Sequence, residues 1–210
     1  MSWTVKTLVL PLVLLCAWRL QEGAQACTCV PMHPQTTFCQ ADVVMKVLVV
    51  SRKMVGELDE TIMYNVKPIK KFKGDHGVSS FYTAASSAAC GVTLTTGVEY
   101  LITGRLTRDK MLQVSLCEFV APWNSLSDSQ KVNLEGRYRM GCSCQITPCR
   151  ALPCRSNNPA ECLWADFITN SVKMEQAKYF ACLKKGRSPC TWSKGGADLP
   201  TKHSKDTKGR

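Results

Sequence analysis

No His-Glu-x-x-His pair, glycine-rich phosphate loop or Gly-x-Ser-x-Gly turn occurs in the 210 residues. The usual signatures of zinc proteases, phosphate binders and serine hydrolases are therefore missing. Only three histidines are present, His33, His76 and His203. They are far apart in the chain and read as surface or turn residues, so nothing favours a hydrolase. There is no Asn-x-Ser/Thr sequon, because Asn124-Ser125-Leu126 and Asn170-Ser171-Val172 fail at the third position; N-glycosylation is not expected. Acidic residues are in short supply, 16 against 27 Lys and Arg, which suits polyanionic glycans as partners but says nothing about fold. The leading apolar run meets Arg19 before reaching the ~20 residues of a membrane helix. Neither a membrane span nor nucleic acid is among the expected partners.

Cysteine is abundant, 13 residues in a chain only 20% charged, which points to a folded, exported protein. Lys6, the apolar stretch from Leu8 to Ala17 and the small-x-small signal Ala24-Gln25-Ala26 form a secretory leader, residues 1–26. Its removal discards Cys16 and leaves twelve cysteines with a net charge of +10, 25 basic against 15 acidic residues. An even count implies a closed disulfide framework, and twelve cysteines can pair in about ten thousand ways. The run Cys142-x-Cys144-x4-Cys149-x4-Cys154 is superficially like a zinc knuckle, but the oxidising compartment and the absence of C-x2-C spacing argue against structural zinc.

Val43 to Val50 is nearly continuously apolar and β-branched, interrupted by Lys46, and predicts a buried strand. Ile62, Tyr64 and Val66 alternate as in a half-buried strand, with Pro68 marking an edge or bulge. Phe81 to Thr83, Glu99 to Thr103 and Met111 to Leu116 complete a set separated by Gly56, Gly74, Gly77 and Gly97. About five short strands predict a small antiparallel barrel or sandwich. Ser127 with Gln130 predicts a capping box and a helix, preceded by Leu126 as half of a staple and weakened by Gly136. Cysteines crowd the last third, where disulfides must carry stability at about 2 to 4 kcal/mol each. The tail is polar and basic, and reads as disordered.

The residue that carries chemistry is the new first one. A chain starting Cys27-Thr28-Cys29 presents an α-amine beside its own carbonyl oxygen, spaced to close a five-membered chelate ring on a metal. The α-amine pKa of about 7.7 to 8.0 leaves a neutral fraction at physiological pH. Placed at the open position of a catalytic zinc, the pair would displace the water nucleophile. Rigidity is the condition, since termini fray. Read alone, Cys27 and Cys29 serve equally well as two disulfide ends.

Cys27-Thr28-Cys29-Val30-Pro31-Met32-His33-Pro34-Gln35 with Phe38-Cys39 resembles the start of a tissue inhibitor of metalloproteinases. Tyr82-Thr83-Ala84, Ser86 to Val92, Tyr100 to Gly104, Phe119 to Trp123, Tyr138 to Cys142, Glu161 to Trp164 and Gln176 to Cys182 extend the match over the whole mature chain. The resemblance implies a mainly β fold: an OB-like, netrin-like five-stranded barrel with flanking helices at 27–141, a small disulfide-rich C-terminal subdomain at 142–194 and a basic tail at 195–210. It also implies the pairs Cys27 to Cys90, Cys29 to Cys117, Cys39 to Cys142, Cys144 to Cys190, Cys149 to Cys154 and Cys162 to Cys182.

By resemblance, the expected activity is secreted, 1:1 inhibition of matrix metalloproteinases in the extracellular space or matrix, by a protein that is not itself an enzyme. The Cys27 amine and carbonyl would chelate the target's catalytic zinc, and Thr28 would enter the adjacent specificity pocket. Cys29, Val30 and Pro31 would continue along the cleft. Ser87, Ala88, Ala89 and Cys90 would fill its other side, and Gln40 would touch the rim. No cofactor of its own is implied; the zinc is shared with the bound protease. Three departures stand out. Val44-Met45-Lys46-Val47-Leu48 lacks a basic position of the family's strand, the hairpin near Ser51 to Glu60 is short beside the long form, and the tail has four basic residues against two aspartates where an acidic one helps hold a proenzyme. The alternative is a non-inhibitory basic module that binds sulphated matrix glycans or a receptor.

Overall fold

The computed structural model describes residues 27–56, 60–74, 77–166, 168 and 174–196. The expected leader, nearly all of the tail, His76 and His203 lie outside the described residues.

Helix α1 (Pro34–Gln40) precedes two long strands, β1 (Val43–Val55) and β2 (Thr61–Lys73). They are followed by β3 (Ser80–Ala84), β4 (Glu99–Leu106), β5 (Leu112–Gln113) and β6 (Ala121–Pro122). The order β1-β2-β3-β5-β4, closed by pairing of β4 with β1, makes a five-stranded ring of OB-like topology, with β6 added outside β4. All pairs in the ring are antiparallel except β3 with β5, which run parallel where Tyr82 meets Gln113.

Alternation along the strands sorts side chains between two cores. Val43, Met45, Val47 and Val49 of β1 point into the barrel with Ile62, Tyr64, Val66, Phe81, Ile102 and Leu112. Val44 faces outward, into a second cluster with Phe38, Leu101, Leu134, Tyr138, Ala181 and Leu183. The first half of β1 is therefore covered on both faces, which explains its nearly continuous apolar run. Lys46 is accommodated by a 2.7 Å pair with Glu99 and by its ammonium lying 4.8 Å over the Trp123 ring. The register shift between Lys46↔Lys70 and Val47↔Pro68 leaves Ile69 as the extra residue of a bulge beside the proline.

The strand predicted over Met111 to Leu116 is shorter than its alternation suggests. Only Leu112–Gln113 pair as β5: Val114 N still donates to Tyr82 O of β3, but Leu116 N donates to Cys90 O, outside the strands. The Leu116 bond draws the chain away from the sheet, and Leu116 is half exposed.

α2 (Asp128–Val132) starts on the expected capping box: Ser127 Oγ accepts from Gln130 N at 3.1 Å, and Gln130 Oε1 accepts from Ser127 N at 3.0 Å. A wider π-type stretch, Asn133–Arg137, contains Gly136 and separates α2 from α3 (Tyr138–Met140). The last third holds β7 (Gln145–Pro148) parallel to β8 (Glu161–Trp164), then α4 (Glu175–Tyr179) and the hairpin β9 (Phe180–Lys184) and β10 (Cys190–Lys194). Cys162, Cys182 and Cys190 form its small interior, while Ala181 and Leu183 pack into the second cluster. Among the described residues, no helix is long and apolar enough to cross a membrane.

His33 corrects the surface reading of the histidines. It is 1% exposed and caps α1, its Nδ1 accepting from Gln35 N at 3.1 Å while Nε2 lies 3.1 Å from Gln176 O. Because Gln176 O can only accept, the ring carries its proton on Nε2. Trp164, Trp192 and Tyr138 surround it. Gln35 completes the joint: its amide donates to Gly141 O and Cys182 O, and its carbonyl accepts from Cys182 N. Burial lowers the His33 pKa to about 4, against a small raising influence from Gln176 O and Asp166. Between pH 6.5 and 4 the unfolded chain therefore binds a proton that the folded chain does not, and stability falls as pH falls. The whole shift corresponds to about 3 kcal/mol. Urea midpoints measured from pH 7 to 4 should drop along this slope, and His33→Gln should flatten it; an unchanged slope in the variant would refute the assignment.

Candidate functional site

The N-terminal segment lies against two turns of the barrel. Cys27 is bonded to Cys90 and Cys29 to Cys117. The two disulfides lie side by side, with Cys27 Sγ 3.8 Å from Cys29 Sγ and 3.9 Å from Cys117 Sγ, and Cys117 Sγ 4.0 Å from Cys90 Sγ. Thr28, Val30 and Pro31 are exposed, Val30 at 76%. The half-buried cysteines therefore anchor the segment while the side chains between and after them face solvent.

Beside it stands a short ridge. After β3 the chain makes a single 3-10 turn, Ser87–Ala89, capped by Ser86 Oγ, which accepts from Ala89 N at 3.2 Å. Ser86 O accepts from Gly91 N at 2.9 Å, and Cys90 O from Leu116 N at 2.8 Å. Cys90 has φ 63°, a left-handed conformation that glycine usually fills. Here a side chain is required, since Cys90 carries the bond to Cys27. Gly91 has the opposite requirement: an added Cβ would sit 1.9 Å from Ala84 O. The chain re-enters the barrel through Val92 N donating to Thr83 Oγ1, and through Tyr64 OH, which accepts from Leu94 N at 3.0 Å.

Ser87, Ala88 and Ala89 are thus exposed on the crest, next to the Cys27 disulfide. Gln40, at the end of α1, is brought towards the site indirectly: its Oε1 lies 3.4 Å from Arg105 Nη2, and Arg105 pairs with Glu118 at 3.5 Å. Arg105, Glu118, Tyr82, Ala89 and Cys90 line one groove of about 900 Å³. Burial raises the Glu118 pKa, with Arg105 opposing the shift. Sequence reasoning missed Ser86, Gly91, Arg105, Glu118 and the exposed Leu116. Ser86 and Gly91 carry a turn signal in Ser-Ser-Ala-Ala-Cys-Gly, whereas the groove residues come together only through strand pairing.

Four more disulfides are present among the described residues. Cys39–Cys142 ties α1 to the end of α3; Cys144–Cys190, Cys149–Cys154 and Cys162–Cys182 lie in the last third.

A mainly β ring that holds the Cys27-Thr28-Cys29 segment against its own turns through paired disulfides defines a protein that presents a rigidly anchored segment. Residues 25–192 match the family profile described as tissue inhibitor of metalloproteinase, and the chain belongs to that family. It is 45% identical to metalloproteinase inhibitor 2 of Cavia porcellus and 44% identical to that of Homo sapiens, covering 94% of both chains in each case. The Gallus gallus protein of the same name is 43% identical over 83% of this chain and 84% of the relative.

Gly91→Ala should distort the ridge, since the obstructing atom is backbone. We expect a loss of stability of roughly 2 kcal/mol or more and misplacement of Cys90; a variant with unchanged melting temperature would show that the turn tolerates the methyl group.

Proposed function

We propose that this protein is a secreted inhibitor whose clamped first residue, Cys27, binds the catalytic zinc of matrix metalloproteinases in a 1:1 complex. The class of activity, inhibition of metalloproteinases rather than catalysis, follows from family membership. The observation that supports the finer reading is the pair of adjacent disulfides holding Cys27 and Cys29 on either side of exposed Thr28.

Inhibition then follows from elementary steps. With the leader removed after Ala26, the deprotonated Cys27 amine and its own carbonyl oxygen would hold the target's zinc, in the position otherwise taken by the water that attacks a substrate. Thr28 enters the specificity pocket, and its short side chain limits how deeply that pocket is filled. Cys29, Val30 and Pro31 follow the cleft in one direction, while the crest Ser87, Ala88, Ala89 and Cys90 occupies the other side. Gln40, linked to Arg105, borders the rim. Because the segment is already ordered, binding does not have to freeze it. The zinc belongs to the target, and the inhibitor brings no cofactor of its own.

Sulphated glycans are a second class of partner. Lys67, Lys70 and Lys71 are exposed on β2 in a protein of strongly basic balance. Attachment there would hold the inhibitor in the matrix and weaken with salt.

Acetylating the Cys27 amine, or leaving Ala26 attached, should raise the inhibition constant by a factor of about 100 or more, as expected when a bound polar pair is lost from a closed site. Near-ultraviolet circular dichroism should stay unchanged. Full inhibitory strength in either form would refute the chelation mechanism. Retention on immobilised heparin should weaken as salt rises and fall when Lys67 and Lys71 are both changed to Gln; equal retention would refute the β2 assignment.

A further inference from the structure

The four sulfurs of the clamp are arranged for more than holding. Besides the bonded pairs, Cys27 Sγ is 3.8 Å from Cys29 Sγ, and Cys90 Sγ is 4.0 Å from Cys117 Sγ. All four lie within 4.8 Å of one another and are half-buried. Alternative partners are therefore already close to van der Waals contact. Cys27 and Cys29 are two residues apart, and the Leu116 N to Cys90 O bond puts the segments carrying Cys90 and Cys117 side by side. In the last third, Cys144, Cys182 and Cys190 also cluster, but there Cys182 and Cys190 are buried and only Cys144 is half-buried, so a soluble thiol has fewer sulfurs to reach.

We propose that the Cys27–Cys90 and Cys29–Cys117 pair is a thiol-exchange site, at which a small thiol such as glutathione rearranges the clamp and switches inhibition off. The chemistry balances without an oxidant or reductant being consumed. The incoming thiolate attacks Cys90 Sγ, forming a mixed disulfide there and expelling the Cys27 thiolate. Cys27 attacks Cys29 Sγ, so that Cys27–Cys29 forms and the Cys117 thiolate leaves. Cys117 attacks Cys90 Sγ in the mixed disulfide, forming Cys90–Cys117 and returning the small thiolate. The proton given up by the small thiol at the start is regained at the end.

The product keeps as many disulfides as the starting protein, but the Cys27-Thr28-Cys29 segment is no longer joined to the barrel. Its nearest fixed point becomes His33, buried at the start of α1. The loss of inhibition rests on the chelating reading above; the rearrangement itself does not. Ordering even one released residue again costs enough to weaken binding about tenfold.

The test is to incubate the protein that begins at Cys27 with reduced glutathione at pH 8, quench with acid, and map disulfides by mass spectrometry under non-reducing conditions. The expected map shows Cys27–Cys29 and Cys90–Cys117 appearing together, no net gain in free thiol, and Cys144–Cys190 and Cys162–Cys182 intact. The same samples should lose inhibitory strength at least about tenfold in proportion to the rearranged fraction. Recovery of both original pairs, or glutathione adducts at Cys90 without Cys27–Cys29, overturns the exchange proposal. Rearrangement with inhibition undiminished leaves the exchange standing and overturns the chelating reading instead.

Discussion

The candidate site depends on keeping the short segment Cys27-Thr28-Cys29 in one place. Fixing the backbone of each residue in an exposed segment costs about 1 to 2 kcal/mol. Here the first and third residues of the described chain are each bonded to a distant turn, over separations of 63 and 88 residues. In the chain-entropy account, loops of that size stabilise by about 4 kcal/mol each, enough to offset the ordering of the few residues between them. The constraint then moves to the receiving turns, which must themselves be rigid.

Barrel packing supplies that rigidity. Tyr64 stacks on Phe81 inside the ring at a centroid distance of 5.1 Å, and its hydroxyl accepts from Leu94 N. Thr83 Oγ1 accepts from Val92 N. The ridge is thus fastened from within the core immediately after Cys90, and Leu116 fastens it to the turn that carries Cys117. At the other end of the segment, His33 and Gln35 lock the entry to α1 against β9 and α4. Residues 27 to 31 are held at both ends, although their own side chains contribute little burial.

How much of this could be read from sequence follows the range of each interaction. The capping box at Ser127 and the bulge signal at Pro68 are local, and both appear in the structure where their residues predict. The nearly continuous apolar run of β1 signals a buried strand, yet only the structure shows that its outer face is covered by α1, α3 and β9. His33 was misread because its burial comes from Trp164, Trp192 and Gln176, more than 130 residues away, and no local pattern signals that. The end of β5 was missed for a similar reason: Leu112, Val114 and Leu116 alternate correctly, but Leu116 hydrogen-bonds to Cys90 instead of continuing the ladder. Arg105, Glu118 and Gln40 meet only because β4 returns alongside the end of α1. The significance of Cys27 came from the chemistry of a chain end and from family resemblance, since cysteine spacing alone leaves about ten thousand pairings open.

The disulfides divide into two kinds according to what surrounds them. In the last third, Cys162, Cys182 and Cys190 are buried and form a small interior with Ile146 and Trp192 packed against it, so their sulfurs stabilise by packing as well as by linkage. The clamp disulfides are half-buried and belong to neither main core. Their contribution is direction: they determine which way Thr28 and Val30 face. Losing a packed disulfide costs both its linkage and its share of the interior, whereas losing a clamp disulfide costs its linkage and the direction of the segment it holds. The same difference explains why Cys90 holds a left-handed backbone conformation suited to glycine. At that position the geometry of the bond outweighs the preference of the backbone.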